Sequence, residues 1–567
     1  MVHNWIYKVQ PEEEEIRKLS TEINVNPILS SLLIQRNLKS FEDARKYFRP
    51  SLEMLHDPFL MKDMEKAVER IKTAIKRNEK ILVYGDYDVD GTTAVAVFYD
   101  FLKSFYEHVD FYIPDRYTEG YGVSRAGIEW AAENGFQLIV SLDCGIKAVD
   151  KVALAKSKGI DFIVCDHHRP GEILPNAHAI LDPKRADCQY PFKELSGCGV
   201  GFKLLQAICI EEDINVNKLY EYLDLLAISI ASDIVPIVGE NRVLAHFGLI
   251  KLNKKPMAGV QALIEIAGLS DNLDISSIVF SIGPRINAAG RIGHAKASVE
   301  LLISKNEDDT LSYAKKIDDQ NSRRRGYDTD ITEEAIRMIE NGEHGESLKS
   351  TVLFKNDWHK GVIGIVASRC MEKYYRPTII LTESNKKATG SARSVLGFDI
   401  YEAISECSDL LDQYGGHRYA AGLTLELENV AAFQKKFQEV VARNIKEEQL
   451  IPTIEIDQKI GFSQINYRFY NILKQMNPFG PENMRPVFAT HNVYAVNRPK
   501  IMKEQHLKFM VAEENSENQI EAIGFGFAEY FDLINSGMRF KIAYTIEENN
   551  FMSNRYLQLY LKDIKFD

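Results

Sequence analysis

The sequence predicts an α/β fold with a parallel sheet, followed by a second α/β unit and a terminal β-barrel. Two observations set the first part. Apolar runs of strand length end repeatedly in an acidic residue, and helix-like segments separate them. A third sets the end, where short runs alternate apolar and polar, as in Tyr556-Leu-Gln-Leu-Tyr-Leu, the period of half-buried barrel strands.

The elements follow in order. Residues 1–75 form an N-terminal helical region broken by Pro50 and Pro58, with no chemistry of their own. The run Glu12–Glu15 reads as a helix start, since acids favour the N-terminal turn. Residues 76–275 carry the acidic motifs. Residues 276–345 are a helical linker between two domains, predicted from about 296–345, which is charge-rich and largely free of proline and glycine, as in Leu311-Ser-Tyr-Ala-Lys-Lys-Ile-Asp-Asp. Apolar strands return over 346–445, in Thr351-Val-Leu-Phe and Thr378-Ile-Ile-Leu, and the barrel occupies 446–567.

At 567 residues the chain has room for several domains, and 45 % hydrophobic residues suffice for several cores. No apolar run is long enough to span a bilayer, and the first residues lack a signal-peptide pattern, which predicts a cytoplasmic protein with no membrane partner. Seven cysteines without a Cys-x-x-Cys pair fit a reduced compartment, and Cys144 and Cys165 read as buried strand residues. The net charge of −12 does not exclude a local basic groove, for which Arg285, Arg291, Ser322-Arg-Arg-Arg325 and Arg393 are candidates. A solvated helix face explains the arginine triplet equally well. No phosphate loop of the Gly-x4-Gly-Lys-Ser/Thr kind is present, so nothing suggests nucleotide-driven translocation.

The chemistry lies in four acidic motifs. Ile81-Leu-Val-Tyr-Gly-Asp-Tyr-Asp-Val-Asp-Gly-Thr-Thr93 places Asp86, Asp88 and Asp90 at alternate positions beyond an apolar run. Phe136-Gln-Leu-Ile-Val-Ser-Leu-Asp-Cys-Gly145 ends in Asp143, and Asp161-Phe-Ile-Val-Cys-Asp-His-His168 ends in Asp166, His167 and His168. Asp224-Leu-Leu-Ala-Ile-Ser-Ile-Ala-Ser-Asp233 reads as a fourth such run, although its flanks have helical character. Ligands of parallel sheets sit at the carboxyl ends of the strands, so three of the motifs predict one shared site. A single Asp could be a helix cap; three clustered carboxylates repel unless a cation compensates them. Several Asp with His suit Mn²⁺ or Mg²⁺ better than structural zinc.

These four motifs resemble those of the DHH phosphoesterase superfamily, and Gly415-Gly-His-Arg-Tyr-Ala-Ala-Gly422 resembles the glycine-rich signature of the DHH-associated domain. Three further stretches narrow the resemblance: Pro284-Arg-Ile-Asn-Ala-Ala-Gly-Arg291, Trp358-His-Lys-Gly-Val-Ile-Gly364, and Pro478-Phe-Gly-Pro-Glu-Asn483 before Pro486-Val-Phe. Over nearly its whole length the chain resembles the RecJ family of single-strand-specific DNA exonucleases.

The resemblance implies a DHH domain, a DHH-associated domain and an OB-like barrel. It implies two divalent ions held by Asp88, Asp90, Asp143, His167 and Asp233, with Asp143 bridging and Asp86 and Asp166 orienting the ligands. His168 would face the phosphate and aid the leaving group. Arg116, Arg285, Arg291, Ser391, Arg393 and His417 would hold DNA phosphates, with an interdomain salt bridge as the other reading of Arg285 and Arg291. Tyr84 stands where the smaller phosphatases of the superfamily carry a histidine, which implies a looser first metal. The implied activity is 5′-to-3′ hydrolysis of single-stranded DNA in repair and recombination, by a monomer whose partners include a helicase and a single-strand-binding protein. A phosphodiesterase of short oligonucleotides or cyclic dinucleotides is one alternative, and a non-catalytic replication scaffold is another. Tyr494, Phe509 and Phe525 are barrel aromatics that could stack on bases, although such residues are more often core.

Overall fold

Five parallel strands build the first sheet: β1 (Ile81–Gly85), β2 (Val109–Tyr112), β3 (Leu138–Leu142), β4 (Asp161–Cys165) and β5 (Ala179–Leu181). The computed structural model describes residues 3–270, 272–342, 348–514, 518–551 and 554–566. Strand order is β2-β1-β3-β4-β5. Successive side chains of a strand point to opposite faces, and here both faces are covered. Ile81, Val83, Leu138, Val140 and Leu142 enter one core, while Leu82, Tyr84 and Ile139 enter the other. That is why these strands read as unbroken apolar runs rather than alternating ones. The chain leaves β1 for β2 on one side and returns to β3 on the other. The crevice beyond the carboxyl ends of β1 and β3 is therefore the topological switch point where such sheets bind ligands.

Helix α1 (Val89–Lys103) follows β1, and α2 (Gly197–Glu211) and α3 (Leu223–Ser232) pack beside it. The fourth acidic run is thus the helix α3 and not a strand. Its residues are buried on every side, so no amphipathic stripe marks the helical period in the sequence, and a short apolar run is ambiguous by pattern alone. Helix α4 (Gly239–Lys254) begins six positions beyond Asp233, and α5 (Gly283–Ile292) completes this lobe.

A single helix, α6 (Glu307–Glu340), bridges the two lobes over 34 residues, about 50 Å at 1.5 Å per residue. Asn306 caps it by accepting from the amides of Asp308 and Asp309, and three acids occupy its first turn. Ala314 and Ile317 belong to the core of the first lobe, whereas Ile331, Ala335 and Ile339 pack with α7 (Ile363–Tyr374) of the second. The second sheet runs β9-β10-β8-β7-β6, from β6 (Thr351–Phe354), β7 (Thr378–Ser384), β8 (Lys387–Arg393), β9 (Gln413–His417) and β10 (Ala420–Leu425). Only β6 and β7 pair in parallel.

The terminal unit comprises β11 (Gln458–Lys459), β12 (Phe488–Ala495), β13 (Lys500–Met502), β14 (His506–Glu513), β15 (Gln519–Gly524), β16 (Phe540–Phe551) and β17 (Asn554–Phe566). Pairing of β12 with both β16 and β14 closes β12-β16-β17-β15-β14 into a five-stranded barrel of OB type. The start of the chain belongs to this unit. Asn4–Tyr7 pairs in parallel with Thr453–Ile456, and Leu19, Leu29, Leu32 and Leu33 share one core with Phe462, Phe469 and Phe488. Met61, Met64, Ala67 and Ile71 instead join the first lobe. Among the described residues no helix is long and apolar enough to cross a membrane, and all seven cysteines are buried and unpaired.

Candidate metal centre

The ends of β1, β3, β4 and α3 converge on one point. Asp88 caps α1, its Oδ1 accepting from the Gly91 amide at 2.9 Å. Asp90, in the first turn of α1, reaches across to the N-terminus of α2. There its Oδ2 accepts from the Gly197 amide at 2.7 Å, and its Oδ1 accepts from the Cys198 amide at 2.9 Å and the Ser229 hydroxyl at 2.6 Å. Helix N-termini favour anions, so these amides hold the carboxylate in place without a basic side chain. Asp143 follows β3 with φ near +60°, a region that Asp tolerates better than most residues. Gly197 makes that position possible, because a Cβ there would lie 2.5 Å from Asp143 Oδ1.

Asp166 is saturated by donors. Its Oδ2 accepts from the Ile146 amide at 2.9 Å, and its Oδ1 from the His167 and His168 amides at 2.8 and 3.1 Å and from His168 Nδ1 at 2.7 Å. Burial opposes its charge, but the His168 hydrogen bond and charge with these amides outweigh it and hold the carboxyl down at about 2. In return, Asp166 overcomes the burial of His168 and lifts that imidazole to about 9. Asp86 is likewise buried and turned inward, its Oδ1 accepting from the Tyr87 amide at 2.7 Å.

His167 stands at the centre. Its Nε2 lies 3.2 Å from Asp143 Oδ1, 3.4 Å from Asp233 Oδ2 and 3.8 Å from Asp90 Oδ2. Among the described residues, two groups have ligand atoms within 4.8 Å of one another: Asp90, His167 and Asp233, and Asp143, His167 and His168. Asp88 lies beside them, in hydrogen-bonding contact with Asp143. Burial, and then neighbouring carboxylates, hold Asp86, Asp88 and Asp143 above the usual carboxylate range and Asp233 at about 8. Burial also favours the neutral form of His167. Asp143 Oδ1 and both ring nitrogens of His167 are buried without a hydrogen-bond partner, an expensive arrangement in a protein interior. A divalent cation removes both costs, and a set of carboxylates with one or two imidazoles has the hard donor character that suits Mn²⁺ or Mg²⁺.

Cations line the approach. Arg291 is driven down to about 10 by burial and by the charges of Arg116, Arg324 and Arg393, so four guanidiniums share one neighbourhood. Arg116 stacks on Tyr87, next to the first motif, at 4.9 Å. Arg291 Nη1 donates to Gly361 O at 2.9 Å, and Arg393 Nη1 donates to Ser391 Oγ at 3.1 Å. Gly364, in the first turn of α7, faces Ser391 and Arg393 at close range. Two lobes therefore meet at these residues. His417, at the tip of the β9–β10 hairpin, is exposed and feels the charge of His168.

The structure adds detail at three places. Arg285 is already engaged, donating through Nε to Asp318 Oδ1 at 2.9 Å and through Nη1 to Ser281 O at 2.9 Å. Tyr84 turns away from the metal cluster, its hydroxyl donating to Gly122 O at 3.2 Å and accepting from the Ser124 amide at 3.0 Å. Of the barrel aromatics, Phe509 is core, Phe525 is 52 % exposed and Tyr494 carries Arg539 on its ring. Residues that the sequence reading missed include Gly197, Cys198 and Ser229, which hold Asp90. The stretch Ser196-Gly-Cys-Gly199 before an apolar run was an available sign of a helix N-terminus.

Fold and site together define a DHH-type protein. A DHH family N-terminal domain matches residues 80–230, a DHHA1 domain 347–443 and a RecJ OB domain 456–563. The single-stranded-DNA-specific exonuclease RecJ of Bacillus subtilis strain 168 is 37 % identical over 558 residues, covering 98 % of this chain and 70 % of that protein. The RecJ of Escherichia coli K12 is 31 % identical over 572 residues, covering 98 % of each. The chain belongs to the RecJ family. The crystal structure of RecJ from Thermus thermophilus in complex with Mn²⁺ shares its fold, with a TM-score of 0.85 at 23 % identity, covering 100 % of this chain and 80 % of that one.

Proposed function

We propose that this chain is a cytoplasmic, metal-dependent exonuclease that hydrolyses single-stranded DNA from its 5′ end. The observation that carries the reading is the group of unpartnered ligand atoms on Asp143 and His167, set among buried carboxylates and flanked by guanidiniums from two lobes. Membership of the RecJ family supports the substrate class, and the 5′ polarity is part of the proposal. Asp88, Asp90, Asp143, His167 and Asp233 are the ligands we assign, to two divalent ions. When bound, these ions supply a water acidified to near neutrality and neutralise charge on the phosphoryl oxygens.

The chain's own residues do the rest. Asp90 is fixed by α2 and Ser229, and Asp166 fixes the His167 and His168 amides, so the ligand atoms need little reorganisation. His168, protonated at neutral pH and oriented by Asp166, offers a proton to a phosphate oxygen or to the leaving oxygen. Arg116, Arg291 and Arg393 hold the terminal phosphates in the bidentate manner suited to guanidinium, and the Ser391 hydroxyl donates beside them, which aligns the scissile bond. In Asp143→Ala, cleavage of a labelled single strand in Mn²⁺ should be lost while the thermal transition persists. Normal turnover by that variant would overturn the assignment.

A further inference from the structure

Beyond the arginine cluster, a second group of cations lies at the metal centre. Lys147 follows Ile146, whose amide donates to Asp166 Oδ2 at 2.9 Å. Arg169 directly follows His168. The Lys147 stem runs along the turn beyond Arg169, its Cγ 3.9 Å from where a side chain on Gly171 would begin. Both side chains are exposed. Their neighbours Lys151 and Lys184 are paired with Asp150 and Glu194. Among the described residues, by contrast, no carboxylate lies within 4.0 Å of Lys147 or Arg169.

The opposite lobe faces them with His417. Burial keeps that imidazole below its ordinary range, and the charges acting most on it are Lys147, His168 and Arg169. The charges acting most on Arg291 are instead Arg116, Arg324 and Arg393. The two groups of cations thus act on different residues, and Arg169 adjoins His168 in the chain. In a chain of net charge −12, unpaired cations beside a carboxylate cluster mark a place for an anion that is not a side chain.

We infer that Lys147 and Arg169 form a second phosphate-binding lip, which grips the backbone of the substrate strand one or more nucleotides inward from the terminal phosphates. This rests on the reading of the chain as a nuclease of single strands. A strand held by the arginine cluster at its end and by this lip beyond the metal centre is fixed on both sides of the bond to be cut. The lip reads phosphate and not base, so it adds affinity without sequence preference.

The test is the salt dependence of KM for a long single strand, compared between wild type and Lys147→Gln/Arg169→Gln, with each single variant alongside. Each phosphate contact to a single strand contributes about 0.7 to the slope of log affinity against log salt, so losing both should lower the slope by about 1.4. The loss should be smaller on a dinucleotide, which is too short to reach the lip. Mn²⁺ affinity is measured on the same proteins. An unchanged slope with tighter Mn²⁺ binding would show that the two cations only offset the carboxylates, and would overturn the inference. An unchanged slope with unchanged Mn²⁺ binding would overturn it equally. Failure of the wild type to cut single strands at all would instead defeat the underlying reading.

Discussion

Gly197→Ala is the most economical probe of the site, because it changes one hydrogen into a methyl group at the point where α2 meets Asp143. The new Cβ would lie 2.5 Å from both the Cβ and the Oδ1 of Asp143, whereas ordinary contact begins near 3.4 Å. Asp143 must therefore retreat by about 1 Å. A misplacement of that size at a reacting centre can cost about 100-fold in rate, or about 2.7 kcal/mol of barrier. Overpacking opposes folding by about 1–3 kcal/mol, and the helix preference of Ala over Gly, about 1 kcal/mol, offsets part of it. The protein should thus remain folded while losing activity. The assay is mononucleotide release from a labelled single strand at saturating Mn²⁺, with Mn²⁺ affinity and the thermal transition followed in parallel. Gly326→Ala, on α6 with nothing near the new methyl group, is the control and should keep full activity. Wild-type turnover and wild-type Mn²⁺ affinity in Gly197→Ala would refute the reasoning.

Three further outcomes are expected. The raised carboxyls of the cluster, Asp233 at about 8 among them, hold protons that a cation must displace. Mn²⁺ affinity should therefore strengthen from pH 6 to pH 8 and then level off, and a dissociation constant independent of pH in a calorimetric titration would contradict this. In Asp166→Asn the charge that keeps His168 protonated up to about 9 is gone. The alkaline limb of the kcat profile should then move to lower pH, and a stationary limb would count against His168 as proton donor. Arg242 is buried and donates to Tyr47 O at 3.2 Å, Met476 O at 3.0 Å, Asn477 O at 3.1 Å and Pro478 O at 3.4 Å. Arg242→Leu should leave these carbonyls unsatisfied at a cost of about 3 kcal/mol and loosen the barrel from the first lobe, seen as an earlier calorimetric transition; an unchanged thermogram would exclude that role.

Much of the site was legible because its chemistry sits at strand ends. Asp86, Asp88, Asp90, Asp143, Asp166 and His167 each follow a short apolar run, and the sheet order brings those ends together. What was not legible depends on distant partners. Asp90 is anchored by amides 107 and 108 positions away, and nothing local in Asp-Val-Asp announces that. Helix α3 read as a strand because a segment buried on all sides loses its period. The pairing of Asn4–Tyr7 with Thr453–Ile456 joins the start of the chain to the entry of the terminal unit, which composition cannot reveal. Of the two readings of Arg285, phosphate contact or salt bridge, the sequence could not name the ion-pair partner, because Asp318 stands 33 positions on in a helix whose facing side the charge pattern leaves open. The Pro478–Asn483 motif acts in the packing of the fold. The Asn483 side chain donates to Met476 O and Pro478 O and accepts from the Tyr47 hydroxyl at 2.8 Å, so the motif is a junction between the chain's start, the first lobe and the barrel.

The most direct test of the central claim is digestion of end-labelled single strands blocked at one end or the other, with and without Mn²⁺. The structure and the family together predict rapid release of mononucleotides from strands with a free 5′ end, none from strands blocked there, and none without the cation. Equal degradation from both ends, or cleavage that survives complete removal of divalent metal, would contradict the account.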